Sequence, residues 1–473
     1  MYYENSFIAA ILGFLAYLDL KRIRCRLIMK KSPSRSLPNA LHPSVSAPAL
    51  LNQARRAFEK IPDPRRYGQQ FSLTDVLMSG LAVFCLKYPS LLKFDEQRNE
   101  ARIRANLKAL YGVQQAPCDT QMRSVLDRVD PLELRAPFIQ INQGLYDQGL
   151  LENFRYLGRF LISVDGTGEF SSSHVHCPHC CTRQHRNGEV SYYHQLLGAV
   201  MVHPDQKQVI PLFPEAITHQ DGETKNDCEA NASKRLLKAL RAAFPNWPLR
   251  VVEDSLSANG PHINLLKELN MGYIISVKPG GQDSLFAEVK NRIFKGQYEE
   301  FEILGDDKIL RGYRWMNEIP LNKSHPDLLV NFLDYWEIRD DKEFNFSWVT
   351  EIELTAKNVS LVMEGGRSRW HIENQVFNTL KNQDYEFEHN YGHGQQHLIT
   401  VFALLMMLAF LIDQVQEYGC VFFQTARQRF HSRTSLWIKI KGLFTEFFID
   451  TWESLWRAII YGHYGEFLQP NTS

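Results

Sequence analysis

The sequence predicts a mixed α/β protein in which helical blocks at both ends flank a strand-rich centre. Three observations predict it. Helix-spaced apolar residues with capping side chains fill the stretch up to about residue 150; short Val/Ile-rich runs that stop at acidic residues recur from Phe160 onward; and nearly continuous apolar and aromatic runs return after Leu398. At 473 residues the chain exceeds what one hydrophobic core usually supports, so two or three domains are expected.

Residues 1–48 read as an extension and basic linker. The apolar run 7–18 is shorter than the roughly 20 residues that span a bilayer, and its basic cluster follows it, unlike a cleavable signal. No membrane partner is expected, and Met29-Lys30-Lys31 would make a natural start. Between residues 21 and 66 basic side chains such as Arg24, Lys31, Arg56 and Arg65 face only Glu59 and Asp63, a front end suited to DNA. The whole chain balances 53 Lys and Arg against 53 Asp and Glu, which argues against a protein that coats nucleic acid by charge alone. Eight cysteines in so long a chain do not make a disulfide framework and place the protein in a reducing cytoplasm.

Residues 49–150 read as a helical, DNA-binding domain. Pro62-Asp63-Pro64 is a turn, Ser72 caps a helix carrying Val76, Leu77, Leu81 and Phe84, and Asp119 caps another. That second helix is either the recognition helix of a helix-turn-helix unit, offering Gln121, Arg123 and Arg128, or a structural helix with a solvated face. Residues 151–295 read as the first part of a catalytic core: strands ending at Asp165, at 192–202 and at 208–213 in an antiparallel meander, a helix over 227–243, a strand ending at Asp254, a helix over 261–269 and a strand over 272–277. Alternating runs at 298–303, 309–315, 328–338 and 344–349 read as an inserted β-subdomain, 296–353. The core resumes over 354–395, and 396–473 is a C-terminal helical region. Its run 398–412 has the length of a buried core helix, not of a membrane span.

The stretch Gly365-Gly366-Arg367-Ser368-Arg369-Trp370-His371-Ile372-Glu373 carries the chemistry. As a helix starting at the two glycines it places Arg369, Glu373 and Phe377 on one stripe, with Trp370, Ile372 and Val376 seated in a core. An isolated Arg-x-x-x-Glu is an ordinary surface pair. Asp165 and Asp254, however, each sit where a strand stops, the edge at which open α/β sheets place their sites. Glu253 adjoins Asp254, and neighbours on a strand face opposite sides, so only one of the two points inward; the resemblance given below favours Asp254. Two strand-end aspartates with a helix-borne glutamate can hold two divalent ions roughly 3.5–4 Å apart, an arrangement suited to in-line phosphoryl transfer.

Asp165, Asp254 and Arg369-x-x-x-Glu373 resemble the DDE triad and flanking arginine of bacterial insertion-sequence transposases. Phe71-Ser72-Leu73-Thr74-Asp75 and His389-Asn390-Tyr391-Gly392-His393-Gly394 extend the resemblance over about residues 50–400. It implies an RNase H-like catalytic core with an inserted β-subdomain, flanked by N- and C-terminal helical regions. It implies an enzyme that binds the inverted repeats of its own element, cleaves DNA with two Mg²⁺ (Mn²⁺ substituting) and transfers the 3′ ends to target DNA, as a homo-oligomer on the DNA. Asp165, Asp254 and Glu373 would be catalytic metal ligands, and Arg369 and Lys381 would bind phosphate. Gly366 stands where the family has tyrosine, and Lys381 lies one residue beyond the family's lysine position, about 80° around a helix from Glu373. A nuclease without strand transfer, or a domesticated DNA-binding protein, are the alternatives.

His174-Val175-His176-Cys177-Pro178-His179-Cys180-Cys181, followed by His185, suggests a structural Zn²⁺ site of Cys177, Cys180, His185 and either His174 or His176. The alternative is a reduced surface loop between strands. Asp221, Glu223, Asp227 and Glu229 form an acidic cluster, of which Asp227 and Glu229 are explained as favourable charges at a helix N-terminus.

Overall fold

In the computed structural model, residues 43–66, 70–218, 228–340 and 342–470 are described; the basic cluster at 21–35, Met29, and Asp221, Glu223 and Asp227 lie outside the described residues. The helices and strands used below are, in order, α1 Ala47–Phe58, α2 Leu73–Cys85, α3 Leu91–Gln97, α4 Ala101–Tyr111, α5 Asp119–Leu126, α6 Arg135–Asp147, β1 Arg159–Ser172, β2 Cys181–Gln184, β3 Val190–Val202, β4 Ile210–Pro211, β5 Glu215–Ile217, α7 Glu229–Ala243, β6 Leu249–Glu253, α8 Gly260–Glu268, β7 Gly272–Val277, α9 Asp283–Phe294, β8 Glu299–Leu304, β9 Leu310–Asn322, β10 His325–Arg339, β11 Lys342–Thr350, α10 Val359–Arg367 and α11 Leu398–Gly419. The chain is mixed α/β and divides into two compact units. The smaller comprises Tyr156–Arg159 and Pro248–Arg369, and the larger holds the remaining described residues from Pro43 onward.

In the larger unit α11 is the axis of the helical block. Every residue from Leu398 to Gln416 is buried, and α2 approaches closely enough that a Cβ on Gly80 would meet Leu405 Cδ1 at 2.9 Å. A 22-residue apolar helix long enough to cross a bilayer is thus enclosed by protein. Its one buried charge, Asp413, is paired with Lys87 Nζ at 2.8 Å and accepts the Tyr385 hydroxyl, as a buried charge requires.

The start of α11 is capped from a distance. Asp127, just past α5, accepts the backbone N–H groups of Gln395, Gln396, His397 and Leu398 at 2.9–3.2 Å. The last two are donors that a helix leaves without partners at its N-terminus, and the first two belong to the turn that leads into it. Burial raises the Asp127 carboxyl, but the four N–H groups outweigh it and hold the group below the ordinary carboxylate range. The sign follows: the cap contributes fully at neutral pH and its contribution is lost as pH falls through the lowered value. Asp127→Ala is expected to cost about 1–2 kcal/mol, read as a lower melting temperature at pH 7, with the gap to wild type closing in acid.

The same contacts change the reading of α5. Gln121 closes a capping box with Cys118, so Cys118 and not Asp119 is the N-cap, and Asp119 pairs with Arg123 at 3.0 Å. Arg128 alone of the three expected DNA contacts is exposed. Ser72 caps α2 as read, accepting from Asp75 N at 3.0 Å.

The strands of this unit centre on β3. β1 runs antiparallel to it, with Asp165 opposite Gly198; Asp165 is not the strand end expected, since the pairing continues to Ser172 opposite Tyr192. The third strand of the expected meander shrinks to β4, two residues against Val200 and Met201, because Pro211 and Pro214 supply no ladder N–H. β5 and β2 also pair with β3, and β2 was not foreseen.

The smaller unit is a mixed sheet. β6 and β7 are parallel, Arg250 opposite Gly272, with α8 as the connection, since parallel neighbours need a crossover. β7 pairs antiparallel with β11, and β11, β10, β9 and β8 follow in a meander. β9 and β10 are longer than the sequence runs implied because a tight turn joins them, Asn322 opposite His325. Gly365 and Gly366, read as a helix start, lie inside α10 near its end. A Cβ on Gly366 would fall 2.4 Å from Trp348 Nε1; glycine there lets the β11 indole lie against the helix.

Candidate active site and a buried Cys/His cluster

Asp165 and Glu373 both belong to the larger unit, and one glycine relates them. Asp165 is half-buried on β1, its Oδ1 accepting from Gly166 N at 2.9 Å. Directly opposite is Gly198, and residues so paired project to the same face, with Cα atoms about 4.5–5.5 Å apart. A Cβ on Gly198 would lie 3.2 Å from the Phe377 ring and 3.4 Å from Ile372 Cδ1. The segment that carries Glu373 therefore rests on the strand pair at the residue facing Asp165.

That segment is not the regular helix expected. After α10 ends at Arg367, a turn at Ser368 and Arg369 interrupts it, with Ser368 Oγ donating to Gly365 O at 2.6 Å. The chain then continues through Ile372–Phe377 as a π-helix. With i→i+5 bonding, the four-residue stripe of Arg369, Glu373 and Phe377 does not apply. Arg369 closes the smaller unit, whereas Glu373 belongs to the larger. Ile372 and Val376 are buried as read, but Trp370 is 47% exposed and seats no core. π-Bulges inside helices are frequent at functional sites, and Glu373 is half-buried within this one.

Asp254 lies in the smaller unit, one residue past β6. It is half-buried and caps a 3₁₀ turn, Ser255–Ser257, accepting from Leu256 N at 2.9 Å. Glu253, the last residue of β6, is the inward side chain: it is buried and joined to His262 Nε2 at 2.6 Å. Lys381 pairs with Glu388 at 2.8 Å, an exposed pair of small energetic weight.

Two residues near these carboxylates escaped sequence reasoning. His371 precedes the π segment with a buried Nδ1 that has no hydrogen-bond partner, and burial lowers its pKa toward the neutral ring. Glu169, four residues along β1 from Asp165, is buried with Oε2 unpartnered, and burial raises its carboxyl well above the usual range. No motif marks either one; only burial does.

The Cys/His stretch gives a different set from the one expected. Cys177, Cys180 and His194 are buried and His393 is half-buried, and their ligand atoms lie within 4.8 Å of one another. Cys177 Sγ is 3.8 Å from Cys180 Sγ and 3.3 Å from His194 Nε2. Cys180 Sγ is 3.3 Å from His194 Nε2 and 3.0 Å from His393 Nε2. Contact with Cys180 holds the Cys177 thiol well below its usual range, and His194 and His393 act in the same sense against the effect of burial. The spacing of these four donors and their chemistry suit a metal ion such as Zn²⁺. His185 is excluded: it is exposed, turned to Ser191 Oγ at 2.9 Å within the β2–β3 hairpin. His174 and His176 are also exposed, the latter stacked on Tyr192. The true partners come from β3 and from a loop 213 residues beyond Cys180, at distances a local motif cannot report.

Neither a family model nor a curated protein matches the chain. Among solved structures, a cryo-EM structure of a piggyBac transposase synaptic complex with hairpin DNA is similar to it at a TM-score of 0.38 and 9% identity, covering 94% of this chain and 88% of that one.

Proposed function

We propose that the chain is a DDE-type DNA transposase, with Asp165, Asp254 and Glu373 as its catalytic carboxylates. The observation that carries this reading is the seating of the Glu373 segment on Gly198, opposite Asp165. It joins the motif resemblance to a physical arrangement of two of the three acidic residues. All three carboxylates are half-buried, reachable from solvent and composed of the hard oxygen donors that Mg²⁺ and Mn²⁺ require. Divalent ions held there would activate the attacking water and stabilise the leaving oxygen. Asp165 and Glu373 would hold ions that offset the charge of a scissile phosphate, and Arg369 would bind a phosphate oxygen, as the motif resemblance implies. The helices of residues 49–150 and the basic residues before them would hold the ends of the element, with Arg128 free of the internal contacts that occupy Gln121 and Arg123. The protein would act as a homo-oligomer on DNA in the reducing cytoplasm.

The test is a reaction of the purified full chain with duplexes carrying the inverted repeats that flank its gene, in Mg²⁺ and in excess chelator. Cleaved 3′ ends joined to target DNA, in Mg²⁺ only, are expected. Cuts without joining would assign a nuclease, and end binding without cutting would assign a DNA-binding protein.

A further inference from the structure

We infer that Cys177, Cys180, His194 and His393 form a structural Zn²⁺ site whose role is to lock the segment following the Glu373 helix onto the β1–β3 strand pair. The inference stands independently of the proposed transposition chemistry.

Four observations carry it. The first is size. A tetrahedral zinc with bonds of about 2.3 Å to sulfur places two sulfurs about 3.8 Å apart, and Cys177 and Cys180 are 3.8 Å apart. Three Sγ to Nε2 edges, at 3.0–3.3 Å, are slightly tighter than about 3.5 Å, the edge that zinc bonds imply, and all four ligand atoms lie within 4.8 Å of one another, so a bound ion needs only small adjustments. The second is donor chemistry: two sulfurs and two imidazoles suit zinc, and hard ions such as Mg²⁺ prefer oxygen. This set is chemically distinct from the carboxylates.

The third is the way the side chains are presented. Cys177 and Cys180 sit on a knuckle closed by Cys180 N to Cys177 O at 3.2 Å, with Cys177 N donating to Cys180 Sγ at 3.3 Å. His194 stands on β3 opposite Phe170, and the His393 ring is held against Phe170 at 4.9 Å and against His194 at 5.0 Å. His393 Nδ1 has no hydrogen-bond partner, so packing, not a second hydrogen bond, orients that ring.

The fourth is the backbone around His393. Gly392 and Gly394 have φ of 147° and 70°, within the region that favours glycine. A Cβ on Gly394 would fall 2.2 Å from Asp127 Oδ1. The two glycines thus let the chain turn His393 inward while Asp127 closes on the next four N–H groups. Residues 393–398 are gripped twice, by the cluster on one side and by the Asp127 carboxylate on the other. An ion here would tie Cys180 to a residue 213 positions away, a cross-link that restricts the unfolded chain strongly.

Metal analysis of the full chain purified without added chelator is expected to give about one zinc per molecule. Cobalt replacing it should show the intense thiolate absorption of a tetrahedral site. Cys180→Ser and His393→Ala should each lose the ion, whereas His185→Ala should keep it. In hydrogen exchange, removing zinc from the wild-type protein should raise exchange across 385–397 at least about tenfold and leave the centre of α11 protected. Chelation of wild type keeps the test open if a variant fails to fold. Zinc-free protein whose melting and exchange are unchanged by added zinc overturns the inference; so does zinc retained in both Cys180→Ser and His393→Ala, zinc lost in His185→Ala, or a Cys177–Cys180 disulfide in protein prepared with reductant.

Discussion

Glu373→Gln is expected to abolish DNA cleavage, by at least about a hundredfold in single turnover, while end DNA is bound as before. Glutamine keeps the volume and one oxygen acceptor but loses the charge that a hard divalent ion demands of its ligands. Its helix propensity is close to that of glutamate, and Ile372, Val376 and Phe377, the buried residues of the segment, are untouched. The segment should therefore stay seated on β3, and the melting temperature should change little. Replacing Mg²⁺ by Mn²⁺ should restore part of the rate. Cleavage at the wild-type rate in Mg²⁺ would remove Glu373 from the mechanism.

Gly198→Val is the second large effect, and it tests position where the first tests charge. The Cβ alone would sit 3.2 Å from the Phe377 ring and 3.4 Å from Ile372 Cδ1, already closer than side chains usually pack. Two further methyl groups force the ring and the isoleucine off the strand and carry the π segment with them. Overpacking of this kind costs about 1–3 kcal/mol, visible as a lower melting temperature. The larger consequence is functional: Glu373 leaves its place over the residue facing Asp165, and cleavage should fall by about a hundredfold or more for displacement of order 1 Å. Gly198→Ala should give a graded, smaller loss, since the ring has to yield only a few tenths of an ångström. If Gly198→Val cuts DNA as wild type does, the geometric basis of the site is wrong.

What could be read from the residues depended on how local the cause was. Ser72 caps a helix through its own third neighbour, and the strand before Asp254 ends where its apolar pattern ends, whereas β1 runs on past Asp165 to Ser172 because β3 continues to pair with it. By contrast, Gly366 was misread because the reason for it is Trp348, on a strand. The π segment has no signature in the sequence, where no proline or other breaker stands, although its Ile372 and Phe377 pack on Gly198. His194 and His393 lacked any spacing signature relative to Cys177, and the nearer His185 had one, so proximity in sequence favoured the wrong ligand. The same limit hid Asp127, whose four acceptor contacts reach 268 to 271 residues ahead. Gln121 and Arg123 look equally available in sequence to DNA or to their neighbours, and their neighbours hold them.

The enclosure of α11 has a consequence for how the chain must be made. Its 22 residues meet the length and hydropathy of a bilayer span, and the helix that packs most closely along it, α2, is synthesised more than 300 residues earlier. When residues 398–419 leave the ribosome, α2 has already been made and can cover part of their apolar surface, while Phe423, Trp437 and Trp452, which also line the helix, are still to come. Any shortened product that begins after α2 loses that cover. Such fragments should be recovered with membranes or in aggregates, which fractionation of an N-terminal deletion lacking α2 would show.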